Sequence, residues 1–170
     1  KTITTGGGGA ILTNNKKLAL RAKHISTTAK KSHPYKFDHD EIGYNYRMPN
    51  INAALGCAQL EQLPGFIKSK KLLYEKYQEI FSKINQVSLL KEPENTSSNY
   101  WLQTLILDSG LEGDIYKILE HCNSKGIMVR PTWTPMHCLP MFRDCPSMPM
   151  SNTDSLSGRI INIPSSPGLA

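Results

Sequence analysis

The sequence lacks several features that would place it in a specialised class of protein. Its 170 residues contain no apolar run near the roughly 20 residues that a membrane-spanning helix needs. They contain no internal repeat and no low-complexity tract, which excludes solenoid and fibrous architectures. No signal peptide is visible, although the chain starts abruptly. With 39% hydrophobic and 20% charged residues, we expect a globular protein without membrane association.

Cysteine is also scarce, and the four present match no zinc pattern and no C-x-x-C motif. Cys57 and Cys122 fall in predicted helices, where we expect buried free thiols. A disulfide between Cys138 and Cys145 remains open, but a reduced, cytoplasmic protein is the simpler interpretation. The histidines near the long loop, His24, His33 and His39, have no acidic or thiol partner at ligand spacing, so we expect no metal site.

The balance of charge is basic, with a net charge of +6. Two classes of partner fit this charge: nucleic acid, or small anionic ligands such as phosphates. The basic residues are scattered rather than clustered between aromatic residues, which favours small anions over nucleic acid. The densest group, residues 68–71, is predicted to be a solvent-exposed helix face.

The first half of the chain alternates turn signals and helical patterns. Two short strands are predicted at residues 2–5 and 10–13, around the glycine run Gly6 to Gly9. That run is typical either of a plain hairpin or, more weakly, of a phosphate cradle. Asn14 and Asn15 predict the start of a helix over residues 16–24 with Leu18, Leu20 and Ala22 partly inward. Residues 25–42 show no period and predict a long loop.

The second half predicts an α+β lobe. A helix over residues 50–63 is expected to be interrupted at Pro64, and an amphipathic helical stretch over residues 66–84 follows. Strands are predicted at residues 100–107, 127–130 and 160–163. A helix over residues 112–124 should stop at Gly126. A short helix should begin at Ser151, with Asp154 in a capping-box position.

Residues 43–60 carry the most specific signal in the sequence. A polar loop brings two phenols, an amide and a guanidinium together, at Tyr44, Tyr46, Asn45 and Arg47. That donor set suits an anionic ligand such as a phosphate. The helix that follows is crowded with small residues, so it can approach a neighbour closely and indicates a packed interface.

This segment resembles the DegT/StrS group of nucleotide-sugar aminotransferases, which are pyridoxal 5'-phosphate (PLP) enzymes of fold type I, related to aspartate aminotransferase. Residues 1–14, 129–137 and 161–167 resemble further family segments in the same order. The resemblance implies an α/β fold and the rear part of a family member, beginning at the cofactor lysine. Residues 1–63 would end the large PLP-binding domain and include an interface helix. Residues 64–170 would form a small α+β C-terminal domain, truncated at its end.

The resemblance also implies roles for three residues at the cofactor. Lys1 would form the Schiff base with PLP and shuttle a proton, because only a primary amine gives an exchangeable imine. Asn45 would reach across a homodimer interface to the PLP phosphate, although a turn asparagine is the plainer interpretation. Arg47 would add to the same site or pair with a carboxylate in its own loop. Gly7 stands where the family usually has an acidic residue.

Three further residues are assigned to the substrate. His137 would lie near the sugar nucleotide, Arg130 would meet its diphosphate or form a local salt bridge, and Tyr44 would contact the substrate or pack at the interface. The implied reaction is transamination of a nucleotide-linked 4-keto-6-deoxy sugar, with glutamate as amino donor. A UDP-linked amino sugar for surface polysaccharide or nonulosonic acid synthesis is the narrower expectation.

Two alternatives remain open at this stage. In the family, the aspartate that binds the pyridine nitrogen and the residue that stacks on the cofactor ring precede the cofactor lysine. We therefore expect this chain to be a segment of a longer protein, or one of two polypeptides that associate. The first alternative is an inactive fragment, or a non-enzymatic or regulatory relative of the same fold. The second is a nucleic-acid-binding domain, which the scattered charge does not favour.

Overall fold

The computed structural model describes residues 1–170, which divide into two compact units. One contains Lys1 and Ile3–Leu63, and the other contains Thr2 and Pro64–Ala170. None of the chain's helices combines the length and apolar character that crossing a bilayer requires. The chain is mixed α and β, with four α-helices and four strands.

The first unit begins with an irregular glycine segment followed by helix α1 (Lys16–Ser26). The side-chain oxygen of Asn15 accepts hydrogen bonds from the amides of Lys17 and Leu18, which confirms the predicted N-cap. The inward placement of Leu18 and Leu20 is wrong, since both side chains are exposed. The two strands predicted at residues 2–5 and 10–13 are also wrong, because no neighbouring strand pairs with either segment.

The predicted long loop after α1 is organised by its own hydrogen bonds. Isolated antiparallel bridges join Thr27 to Asn45 and Lys30 to His39. The amide of Thr28 donates to the Tyr44 carbonyl at 3.0 Å, which closes the loop on itself. The loop therefore returns to the end of α1 and fixes the backbone of residues 43–46.

Helix α2 (Asn50–Phe81) runs for 32 residues without the predicted break at Pro64. Proline removes one intrahelical hydrogen bond, and the helix tolerates that loss here. Packing favours the continuation after residue 64, because Leu73 and Tyr74 are buried and Tyr74 contacts the ring of Tyr100 at 5.2 Å between centroids.

The second unit is built on an antiparallel sheet with the strand order β1-β2-β4-β3. Its strands are β1 (Val87–Leu89), β2 (Gln103–Leu107), β3 (Arg130–Pro131) and β4 (Ile160–Ile163). Strand β4 is confirmed as predicted. Strand β2 is shorter than predicted, β3 begins only at the last predicted residue, and β1 was not predicted.

Helix α3 (Ile115–Ser124) covers the sheet, and helix α4 (Ser151–Ser157) precedes β4. The core of this unit joins both element types: Leu105, Leu107, Ile115, Leu119, Val129 and Ile161. Gly126 follows α3 with φ of +76°, which confirms the predicted helix stop, since glycine adopts this conformation without strain.

Lys70 corrects the prediction that residues 68–71 form a solvent-exposed face. Its side chain is only 5% exposed. The ammonium donates to the carbonyl of Ser165, and burial lowers the pKa of Lys70. The Tyr77 hydroxyl donates to the Pro164 carbonyl at 3.1 Å, so two α2 side chains bind the segment after β4.

The cysteine predictions are only partly met. Cys57 is exposed, so its predicted burial is wrong, whereas Cys122 is half-buried against the core. Cys138 and Cys145 are both free thiols, and the disulfide left open between them is not formed.

Candidate functional site

The glycine segment of the first unit lines an open cavity of about 880 Å³. Its wall includes the glycine run, Met48 and the polar residues Lys23, Ser26, Arg47 and Asn52. Cavities of this size hold small ligands, and these polar groups offer two cations, a hydroxyl and an amide to an anion.

The backbone conformation at residue 8 favours glycine. A Cβ atom there would lie 2.8 Å from the terminal methyl of Met48, and φ is +121°. The backbone is thus held against the cavity in a conformation that other residues rarely adopt. The hairpin interpretation of the glycine run is wrong, while the phosphate cradle remains a prediction.

Asn45 combines a fixed backbone with an exposed side chain. Its side-chain oxygen accepts a hydrogen bond from the Arg47 amide at 3.3 Å, which is the local turn geometry expected for asparagine. That bond uses the carbonyl half of the side chain, and the exposed NH2 half is the donor that a phosphate needs. Tyr44 and Tyr46 stack at 5.5 Å with nearly parallel rings, and both are exposed.

The carboxylates of the loop bind α1 rather than Arg47. Glu41 makes a two-point ion pair with Arg21, with one N–O distance of 2.6 Å, and Asp40 meets His24 Nε2 at 2.7 Å. The His24 hydrogen bond lowers the pKa of Asp40, and the Arg21 hydrogen bond lowers the pKa of Glu41. Arg47 instead lines the cavity, and its predicted role in anion binding stays a prediction.

Sequence spacing missed this cluster because its acids lie 16 and 17 residues after His24. The ligand-capable atoms of His24, Asp40 and Glu41 lie within 4.8 Å of one another, contrary to the expectation of no acidic partner. Their mutual ion pairs explain the cluster without a metal ion.

In the second unit, His137 is held by Asp154 from α4. His137 Nε2 lies 2.7 Å from Asp154 Oδ1, with the histidine half-buried. The predicted capping role of Asp154 is wrong, because α4 begins after Met150 without a side-chain cap. The Cys138 thiol lies in the same group of polar atoms.

Arg130 lies at β3 and is exposed. Its guanidinium carbon is 5.0 Å from the centroid of the Trp133 ring, so it forms a cation–π contact rather than the local salt bridge considered from sequence. Lys1, Asn45, Arg47 and Tyr44 lie in the first unit, and Arg130 and His137 lie in the second. Lys1 is exposed.

The chain is similar to known sugar aminotransferases along its whole length. It is 37% identical over 171 residues to the GDP-perosamine synthase of Escherichia coli O157:H7, covering 100% of this chain and 45% of that protein. Identity to the Vibrio cholerae GDP-perosamine synthase is also 37%, over 99% of this chain and 46% of the relative. The chain therefore spans a little less than half the length of these relatives.

A solved structure shares the fold. Helicobacter pylori PseC, an aminotransferase involved in the biosynthesis of pseudoaminic acid, matches with a TM-score of 0.88 at 23% identity. The match covers 100% of this chain and 46% of PseC. The sequence profile of the DegT/DnrJ/EryC1/StrS aminotransferase family matches residues 1–170, and the chain belongs to that family.

Proposed function

We propose that the complete protein is a PLP-dependent aminotransferase that moves an amino group from glutamate to the ketone of a nucleotide-linked 4-keto-6-deoxy sugar. The observation that carries this proposal is the glycine-lined cavity with Lys23 and Arg47 in its wall, in a chain of this aminotransferase family. Residues 1–63 would belong to the large PLP-binding domain, and residues 64–170 would form a small C-terminal domain.

The residues present fit the cofactor in their chemistry. Lys1 offers a primary amine, Asn45 an exposed amide donor and Arg47 a guanidinium. The backbone at Gly8 has φ of +121°, a conformation open to glycine that lets main-chain amides approach a phosphate. When bound, PLP supplies the electron sink that allows a bond at the amine-bearing carbon to break.

Each residue then has a defined task. Lys1 Nζ would hold the cofactor covalently and would carry a proton to and from the substrate. Asn45 Nδ2 and the Arg47 guanidinium donate to the phosphate and orient it.

Two of the three proposed substrate residues, His137 and Arg130, belong to the second unit. His137 donates to the sugar nucleotide while Asp154 holds its ring, and Arg130 binds the diphosphate. Tyr44 contacts the sugar from the neighbouring subunit's loop. The sequence favoured a UDP-linked sugar, whereas two relatives are named for GDP-perosamine, so both nucleotides belong in the test.

The direct experiment incubates the complete protein with PLP, glutamate and either the GDP- or the UDP-linked keto sugar. We expect 2-oxoglutarate in a coupled assay and the aminated sugar nucleotide by mass spectrometry. Lys1→Ala should abolish both products, while the matched exposed-lysine variant Lys16→Ala should retain them. PLP binding without either product would refute the proposed reaction, and failure to bind PLP would favour the non-enzymatic relative.

We further propose a homodimer whose active sites are shared. Tyr44, Tyr46 and Ile51 are exposed beside the small-residue start of α2, which provides an apolar surface for a second copy. If Asn45 serves the partner's cofactor, a dimer of Lys1→Ala subunits is inactive and a dimer of Asn45→Ala subunits is impaired at limiting PLP, whereas a mixed dimer contains one intact site. Mixing the two variants should therefore restore part of the activity. No recovery in a confirmed mixed dimer would contradict shared sites.

We place the reaction in the cytoplasm, where thiols stay reduced. All four cysteines are free, as a reducing compartment requires. The amino sugar nucleotide that this reaction makes would serve surface polysaccharide or nonulosonic acid synthesis. Fractionation of cells that express a tagged complete protein would test this location, and recovery outside the cytoplasm would contradict it.

A further inference from the structure

Trp133 is an exposed aromatic side chain held in a defined position. It is 62% exposed, although tryptophan is the largest apolar side chain available to a core. The ring of Trp101 stacks with it at 6.2 Å between centroids and 30° between planes, and Arg130 lies against it at 5.0 Å. Two neighbours thus orient the indole, while most of its surface remains open.

The backbone on both sides of this aromatic pair is anchored. Arg130 pairs with Asn162, whose side-chain amide donates to the Pro131 carbonyl at 3.4 Å. The Trp101 carbonyl accepts a hydrogen bond from the Ser165 hydroxyl at 2.6 Å. A platform fixed in this way loses little conformational freedom when a ligand binds, which favours affinity.

The chemistry of the platform matches one part of a nucleotide sugar. A flat indole binds a nucleobase by stacking, and this contact tolerates different bases because every base has a π face. The Arg130 guanidinium lies over the Trp133 ring and can meet the diphosphate that follows the base. His137 comes four residues later in the chain and is already assigned to the same substrate.

We propose that Trp133 is the stacking surface for the nucleobase of the sugar nucleotide, with Trp101 supporting its ring. This inference rests on the proposed function, since it assumes a nucleotide-linked substrate. It assigns Trp133 to affinity for the nucleotide rather than to the chemical step, and it predicts stronger binding of the larger base guanine than of uracil.

The test uses GDP as the probe and the complete, PLP-loaded protein in isothermal titration calorimetry. Trp133→Ala should weaken GDP binding by about ten-fold, in the range of one lost base–aromatic contact. Trp133→Phe keeps a ring and should recover most of the affinity. The matched control is Tyr116→Ala, which removes a 72% exposed aromatic side chain from α3 and should bind GDP as the unaltered protein does.

Inorganic pyrophosphate separates stacking from a general structural defect. It has no base, so Trp133→Ala should weaken pyrophosphate binding much less than it weakens GDP binding. Equal GDP affinity in both proteins, or an equal loss of GDP and pyrophosphate affinity, would overturn the inference. Those results would leave the proposed function intact if sugar amination persists, whereas a protein that binds neither GDP nor UDP would overturn both.

Discussion

Replacing Gly43 with alanine should separate the loop that carries Asn45 from the end of α1. A Cβ atom at Gly43 would lie 2.5 Å from the Ala29 amide nitrogen and 2.5 Å from the Thr28 carbonyl carbon. Both are backbone atoms, so no flexible side chain can move aside. Ordinary contacts begin at 3.4 Å, and the two segments must therefore move apart by about 0.9 Å.

That displacement is large enough to break the loop's hydrogen bonds. The bond from the Thr28 amide to the Tyr44 carbonyl is 3.0 Å long, and the added separation would take it to about 3.9 Å, beyond hydrogen-bonding distance. Overpacking and the lost bond together should cost about 2–4 kcal/mol of stability. Asn45 follows Tyr44 directly in the chain, so the position of Asn45 shifts with the loop.

The effect on the cofactor follows from that shift. One hydrogen bond to a charged phosphate contributes about 1.5 kcal/mol or more, and losing it corresponds to about ten-fold weaker PLP binding. PLP affinity would be measured by titration of the visible absorption band, and stability by denaturant unfolding followed by circular dichroism.

Gly65→Ala is the matched control, because nothing lies within 4 Å of a Cβ atom added at this position inside α2. It should raise stability by about 0.5–1 kcal/mol, since alanine favours helix over glycine. PLP affinity should not change. If Gly43→Ala lay within about 0.5 kcal/mol of the unaltered protein, the steric argument would be refuted. A normal PLP affinity in a destabilised variant would refute the link to Asn45.

Three further predictions concern charge and packing. Arg21 lowers the pKa of Glu41, and a lowered acid pKa stabilises the folded state at higher pH. In acid unfolding, the stability of the unaltered protein should therefore fall more steeply from about pH 5 to pH 3 than that of Glu41→Gln. Equal slopes would contradict this. Burial lowers the pKa of Lys70, so the unfolded chain binds its proton more tightly than the folded chain does. In denaturant titrations, the stability of the unaltered protein relative to Lys70→Met should therefore rise from about pH 7 to pH 10. A fall in this relative stability would contradict the prediction. Ile161 is only 2% exposed, so Ile161→Ala should lower the free energy of unfolding by about 2–5 kcal/mol in the same titrations. Ile127 is half-exposed, so Ile127→Ala should lower it far less. Similar losses in the two variants would disprove the packing argument.

Local signals predicted the parts of the fold that depend on a few adjacent residues. Asn15 caps α1 because its side chain reaches amides two and three residues later. Gly126 ends α3 because a left-handed residue is needed there. Strand β4 was predicted with its correct bounds, since Ile160–Ile163 contains three β-branched isoleucines that favour a strand.

The predictions that failed concern features that depend on contacts between distant residues. The buried position of Lys70 requires the carbonyl of Ser165, which lies 95 residues later in the chain. Strand β1 has only three residues, too few for a pattern, and it exists because β2 pairs with it. The ion pairs of His24 and Arg21 arise only when the loop returns to α1.

The candidate site divides in the same way. Residue types and the family resemblance selected Asn45, Arg47, Arg130 and His137 from sequence. The side chains that orient His137 and Arg130 were not predicted. Asp154 was assigned to a helix cap, and Trp133 belongs to no periodic pattern. Side-chain pairs formed by returning loops are the part of the site that only the folded chain reveals.

The most direct test of the account is borohydride reduction of the complete protein with PLP, followed by peptide mass mapping. Reduction makes the lysine–cofactor bond permanent, so the modified residue can be identified. The account predicts a visible PLP band and a pyridoxyl group on Lys1. A pyridoxyl group on another lysine, or no band after PLP is added, would contradict it.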